Sequence, residues 1–260
     1  KDALERLAQA EVNIKALIDE IDGVELPKDD DKPKLLTGVT IYLNAGHGSV
    51  HPRTGKYMTF AGDGKFYEFI TDDGKTAEVA YEGQLNRLYT KLIASLLIQK
   101  GATVIEIHHP YEDRYNAERA KIANEHYNSL TTEQKYKCLW FSVHFNAHGM
   151  QSKGKSLSPR GASIWTMPGS NAADIAAEKI WTKFKEYTKD YGISYREDKK
   201  DGDADYEEYF HEFTLTQMPA VLMETLFFTN WQDFKIAQRI EFQYSVANAV
   251  VDGLVDYFGD

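Results

Sequence analysis

The sequence predicts an α/β fold: a single domain with a mostly parallel or mixed central sheet flanked by helices, plus a β-hairpin insertion and an N-terminal helix. Three observations predict it. Short apolar, strand-like runs alternate with helix-length amphipathic patterns along most of the chain. The 260 residues suit one large domain, or one domain with an appendage. Hydrophobic residues make up 42% and charged residues 27%, an ordinary core-forming mix, and every apolar run stops far short of the ~20 residues of a membrane span.

Taken in order, Leu4, Leu7, Ala8, Val12, Leu17, Ile18 and Ile21 recur at helical intervals among Glu, Lys and Arg, so residues 1–22 read as an amphipathic helix ending at Gly23. LPKDDDKPK (26–34) follows, and its two prolines and charge run read as a linker. The expected division is therefore a helix and linker over 1–34 and the main domain over 35–260. Strands are expected at 39–43, 103–107, 139–144, 162–167 and 220–224, and helices at 77–99, 117–128, 172–187 and 240–257. Residues 56–75 break the rhythm: KYMTF and FYEFI alternate aromatics around AGDGK, which reads as a β-hairpin. EDKKDGDADYEE (197–208) reads as a solvated acidic loop.

Thirty Lys and Arg against 40 Asp and Glu leave a formal charge of −10, and no basic cluster stands out, which argues against nucleic acid as a partner. Cys138 is the only cysteine, so an intrachain disulfide is excluded and a metal site would draw on His, Asp and Glu. The chain opens at Lys1 without a basic-then-apolar leader, as a trimmed or processed product would.

In α/β sheets the ligand crevice lies outside the carboxyl ends of the strands, so polar residues there are the first candidates. The first strand runs into NAGHG (44–48), presenting His47 on a glycine turn. CLWFSV is followed by His144, and AVLM by Glu224. Two imidazoles and a carboxylate at one sheet edge suit a metal centre or an acid/base pair. His47 and His51, like His144 and His148, are four apart, yet neither pair sits in helical sequence, so His51 and His148 read as loop residues. Catalytic zinc takes three protein ligands and leaves one position for water. Glu78 and Glu82 in KTAEVAYEGQLNRL are both candidates for the third, and spacing alone does not choose between them.

Across residues 38–258 the ordered motifs resemble the zinc-dependent N-acetylmuramoyl-L-alanine amidases of the amidase type 3 family. NAGHG resembles that family's Asp-x-Gly-His-Gly, which supplies the first zinc-binding histidine. YEGQLNRL is similar to its Glu-x-x-x-Asn helix, and this alignment selects Glu82, four residues before Asn86. ERAKIAN (118–124) resembles the Arg-Ala-x-x-Ala-Asn helix, FSVHFNAH the Ser-x-His-x-Asn-Ala motif of the second histidine, and GASIW with GSNAADIA the strand and helix that follow. MPAVLMETLFFTNWQD (218–233) resembles the segment ending in the catalytic Glu. The resemblance implies Zn²⁺ held by His47, Glu82 and His144, with Glu224 as catalytic acid/base; Asn86 and Asn146 are read either as orienting ligands or substrate or as tying down their own loops. It implies hydrolysis of the amide between N-acetylmuramic acid and L-Ala, peptidoglycan as partner, and a site of action in the cell wall, periplasm or extracellular space, as a bacterial remodelling enzyme or a phage lysin.

Asn44 departs from the family's usual Asp, and Thr225-Leu226 from the Gly that commonly follows the catalytic Glu after one residue. Arg114 in HHPYEDR stands near the family's usual Thr-Arg. The hairpin insertion is expected to line the cleft and shape substrate choice. The net negative charge disfavours adsorption to a polyanionic wall, which suggests an upstream wall-binding or coiled-coil region. The rival readings are a peptidoglycan-binding or partner-activated module without turnover of its own, and a different zinc peptidase or deacetylase. Retention of His47, Glu82, His144 and Glu224 together counts against the first.

Overall fold

In the computed structural model, which describes residues 34–60, 65–149, 152–169, 172–200 and 202–259, the apolar runs pair into one six-stranded sheet. The chain order is β1 (Thr40–Ala45), β2 (Phe66–Ile70), β3 (Thr76–Tyr81), α1 (Glu82–Gln99), β4 (Thr103–Glu106), α2 (Asn116–Ser129), α3 (Thr132–Lys135), β5 (Cys138–Asn146), β6 (Lys153–Gly154), β7 (Ser163–Thr166), α4 (Ala172–Thr188), β8 (Tyr206–Glu207), α5 (His211–Leu215), β9 (Ala220–Phe227), α6 (Trp231–Ala237) and α7 (Ile240–Gly259). In space the main sheet runs β4-β1-β5-β9-β7-β8, mixed because β7 and β8, parallel to each other, run antiparallel to β9 and the strands beyond it. A small second sheet runs β3-β2-β6.

Side chains alternate across a strand, so each strand feeds two faces. Ile41 and Leu43, Leu139, Phe141, Val143 and Phe145, and Val221 and Met223 turn to one face. There they bury the apolar stripes of α1 (Tyr89, Ile93, Leu97), α4 (Ile180, Trp181, Phe184) and α7 (Phe242, Val246, Val250). Burial of a side chain such as Phe184 stabilises by ~1.5–3 kcal/mol. Tyr42, Cys138, Trp140, Ala220 and Leu222 turn to the other face, under the thinner cover of Ala123 from α2 and Phe213 from α5. Continuing the same period on that face brings Asn44, Ser142 and His144, and Glu224. The parallel register sets Asn44 opposite Ser142 and His144 opposite Glu224. One edge of one face therefore turns polar where the other face stays apolar.

Several expectations change. The helix expected over 77–99 begins only at Glu82, because Thr76–Tyr81 is spent on β3, antiparallel to β2. FYEFI pairs with Thr76–Tyr81, and the hairpin turn lies between Ile70 and Thr76, where Thr71 donates to the Lys75 carbonyl; residues 61–64 of AGDGK lie outside the described residues. Tyr57 instead bridges Val50. The strands of His144 and Glu224 run on to Asn146 and Phe227, so both residues lie inside strands rather than at their tips. The acidic stretch 197–208 is not wholly solvated: Ala204 and Asp205 are buried and Tyr206–Glu207 forms β8 beside β7. The helix expected over 1–22 and the linker to residue 33 lie outside the described residues.

Candidate metal centre

The loop after β1 is held by close contacts that leave no room for side chains. A Cβ on Gly46 would sit 2.1 Å from the His144 ring, and one on Gly48 would sit 1.4 Å from the Met58 carbonyl oxygen. His47 between them has φ 57°, in the left-handed region that non-glycine residues seldom occupy. Arg87 clamps this bend, donating from Nη2 to the His47 and His109 carbonyls at 2.8 Å each, and Asn86 donates to the Gly46 carbonyl at 2.9 Å. Both come from α1, whose first residue is Glu82, where the positive end of the helix dipole favours a carboxylate.

These supports bring three donors together. His47 Nε2 lies 3.3 Å and His144 Nδ1 3.1 Å from the same atom, Glu82 Oε1, and the two rings meet edge to face at 5.1 Å. One ligand atom from each of the three residues lies within 4.8 Å of the others. Burial pushes the His47 imidazole below its ordinary value, despite Glu82, which favours the neutral form a metal ligand needs. Burial also pushes Glu82 up, but the charges of His47 and Lys65 and the hydrogen bonds of both imidazoles hold it well below the usual carboxylate range.

Three buried carboxyl groups, Glu82, Glu212 and Glu224, crowd around this point. Glu82 is 1% exposed and its Oε2 accepts no hydrogen bond, although Lys65 Nζ stands 3.3 Å away as an ion pair. Glu224 Oε2 is sealed and unpartnered, and burial first, then the charges of Glu82 and Glu212, push Glu224 up to about 7 against the opposing pull of His144 and Lys65. His144 sits between two carboxylates, Nδ1 toward Glu82 and Nε2 3.5 Å from Glu212 Oε1. Burial would lower His144, but its hydrogen bonds to Glu212 and Glu82 raise it to about 10. Two imidazoles and one carboxylate meeting at one point, with two further buried carboxyl groups beside them, fit a divalent metal ion.

Glu78 is not part of this group: it lies on β3, with Lys235 Nζ at 2.6 Å and Gln238 Nε2 at 3.1 Å from its carboxylate. His51 accepts from the backbone of Arg53 and Thr54 and packs on Tyr111, and His148 is exposed. Asn86 is fully buried, so its amide supports the loop instead of facing substrate, and Asn146 Oδ1 caps its own neighbour Ala147. A cavity of about 560 Å³ opens from His47 and His144 past Arg114, Tyr115 and His211, and among the described residues of the 56–75 segment Phe60 lines it. Sequence reasoning missed Lys65, Arg87 and above all Glu212. Glu212 sits on the short helix α5, whose five residues show no period of their own.

A family model described as N-acetylmuramoyl-L-alanine amidase matches residues 41–256. The crystal structure of N-acetylmuramoyl-L-alanine amidase from Clostridium difficile 630 superposes with TM-score 0.61 at 20% identity, covering 85% of this chain and 97% of that one. N-acetylmuramoyl-L-alanine amidase AmiC2 of Nostoc punctiforme gives TM-score 0.60 at 16% identity over 86% and 98% of the two chains. The uncharacterized protein YqiI of Bacillus subtilis (strain 168) is 22% identical over 223 residues, 86% of each chain. The two superpositions show a shared fold, and the family match spans most of the sequence, so the chain belongs to the N-acetylmuramoyl-L-alanine amidase family.

Proposed function

We propose that this protein is a zinc-dependent amidase that cleaves the bond between the lactyl group of N-acetylmuramic acid and the L-Ala of the stem peptide. The observation that carries the reading is the meeting of His47, Glu82 and His144 at one point beside an uncompensated carboxylate, Glu224, one strand away. His47 through Nε2, Glu82 through its carboxylate and His144 through Nδ1 would hold the ion. When bound, zinc supplies a water of lowered pKa and a Lewis acid for the scissile carbonyl.

Glu224 does the proton work. Raised to about 7, it is matched to taking a proton from the water that attacks the carbonyl carbon. As the C–N bond breaks it returns that proton to the departing L-Ala nitrogen. The cavity past Arg114 and Tyr115 has the size to seat the groups flanking the bond. Residues 35–260 would be the catalytic domain and 1–34 its appendage. The substrate places the site of action in the wall, outside the cytoplasm, and no helix among the described residues is long and apolar enough to cross a membrane.

Digestion of purified peptidoglycan, with and without a chelator, tests the proposal by mass analysis of the soluble products. Free stem peptides beginning with L-Ala are expected with metal only. Intact muropeptides from protein that holds stoichiometric zinc would overturn it, and a different cleavage product would favour another zinc hydrolase.

A further inference from the structure

Glu212 is buried at 5% exposure, and a buried carboxylate is costly unless donors surround it. Three donors converge on one of its oxygens. Oε2 accepts from Trp140 Nε1 at 3.0 Å, from Asn44 Nδ2 at 3.2 Å and from the Ser142 hydroxyl in a short contact. Ser142 Oγ in turn accepts from Asn44 Nδ2 at 2.9 Å and Trp140 Nε1 at 3.0 Å, which aims its own proton at Glu212. Asn44 is itself anchored, its Oδ1 accepting from Arg119 Nη1 at 2.6 Å. The other oxygen, Oε1, faces His144 Nε2 at 3.5 Å.

We infer that Glu212 is a positioning residue for His144: its Oε1 accepts from the Nε2–H and so keeps the Nδ1 lone pair turned toward His47 and Glu82. The inference rests on the metal-centre reading above. A neutral imidazole carries one proton, and the partner of one ring nitrogen decides the state of the other. With Oε2 saturated by donors from β1 and β5, Glu212 can neither rotate nor present anything but an acceptor to Nε2. Asn44 belongs to the same device. Its amide shows an oxygen to the Arg119 cation and a nitrogen to the Glu212 anion, a division an Asp at this position could not make.

The test is Glu212→Gln in the full chain. Three donors would hold the Gln oxygen where Oε2 stood, leaving its NH₂ against His144 Nε2. The ring would then need its lone pair at Nε2 and its proton at Nδ1, the metal-facing atom. Zinc affinity, measured by competition with a chromophoric chelator, is expected to fall 10–100-fold, the usual loss when a ligand's outer partner is removed. Affinity within twofold of the parent protein would overturn the inference. A second measurement needs no variant: ¹⁵N NMR of the zinc-loaded parent protein is expected to show His144 protonated at Nε2 and metal-bound at Nδ1, and the reverse pattern would overturn it. Both readouts are independent of hydrolysis. A protein that fails to cleave peptidoglycan yet passes them would refute the amidase reading alone, and one that cleaves normally but fails them would refute the role of Glu212 alone.

Discussion

The two faces of the main sheet are built from the same strands and do opposite things. On the face of α1, α4 and α7, β5 contributes Leu139, Phe141, Val143 and Phe145 without a polar interruption. On the face of α2 and α5, the same strand contributes Cys138, Trp140, Ser142 and His144. The first face gains stability from apolar burial. The second gives up apolar area for a polar network that must be satisfied group by group, and Glu224 Oε2, like Glu82 Oε2 beside it, is left without a hydrogen-bond partner. Such an orphan is costly in a core and useful beside a reacting bond.

The largest effect expected is on the polar face. Glu224→Gln should reduce amide hydrolysis by ~10²–10⁴-fold, the usual contribution of a general acid/base, while zinc content and melting temperature hold. Near-full turnover in product-release assays would break the comparison by removing Glu224 from the chemistry. On the apolar face, Trp181→Ala should cost about 3–5 kcal/mol in denaturant unfolding, with zinc stoichiometry per folded molecule intact. If zinc were lost before the fold, the two faces would not be separate in function.

A smaller effect sharpens the comparison from within. Asp205 is also pushed up to about 7 by burial, with Asp203 and Asp174 adding to the shift against the Thr166 hydrogen bond. It accepts from Thr166, three residues along β7 from Ser163, the cross-strand partner of Glu224. An unfolded Asp titrates near ~4, so between about pH 4 and about pH 7 the folded protein keeps a proton the unfolded chain has released. Stability contributed by this group therefore falls as pH rises through that window. Asp205→Asn should flatten this slope in melting temperature and leave hydrolysis unchanged. An unaltered slope would mean that Asp205 is not the group responsible.

Much of the fold was legible because its signals are local. Alternation in β1, β5 and β9 and the 3.6-residue stripes of α1, α4 and α7 lie within single segments, and the structure keeps them within a few residues of expectation. β3 was misread as helix because TAEVAY shows no clear period, and only pairing with FYEFI makes it a strand. That pairing also separates Glu78 from Glu82. β3 runs to Tyr81, so Glu78 turns to Lys235, while Glu82 opens α1 beneath the His47 loop.

By itself the sequence determined the α/β class and brought the two histidines and Glu224 forward as candidates, because strand period and motif order are carried within single segments. Only the tertiary structure decided that Asn86 braces a loop and that Glu212 reaches His144. Glu212 lies 70 and 72 positions from Ser142 and Trp140 and 168 from Asn44, and the acidity of a carboxylate depends on such neighbours rather than on its own segment. Burial would raise Glu212, but His144 first and then the hydrogen bonds of Ser142 and Trp140 bring it down to about 2, whereas burial without such donors takes Glu224 to about 7. Two glutamates of identical chemistry are driven to opposite acidities by the company the fold gives them.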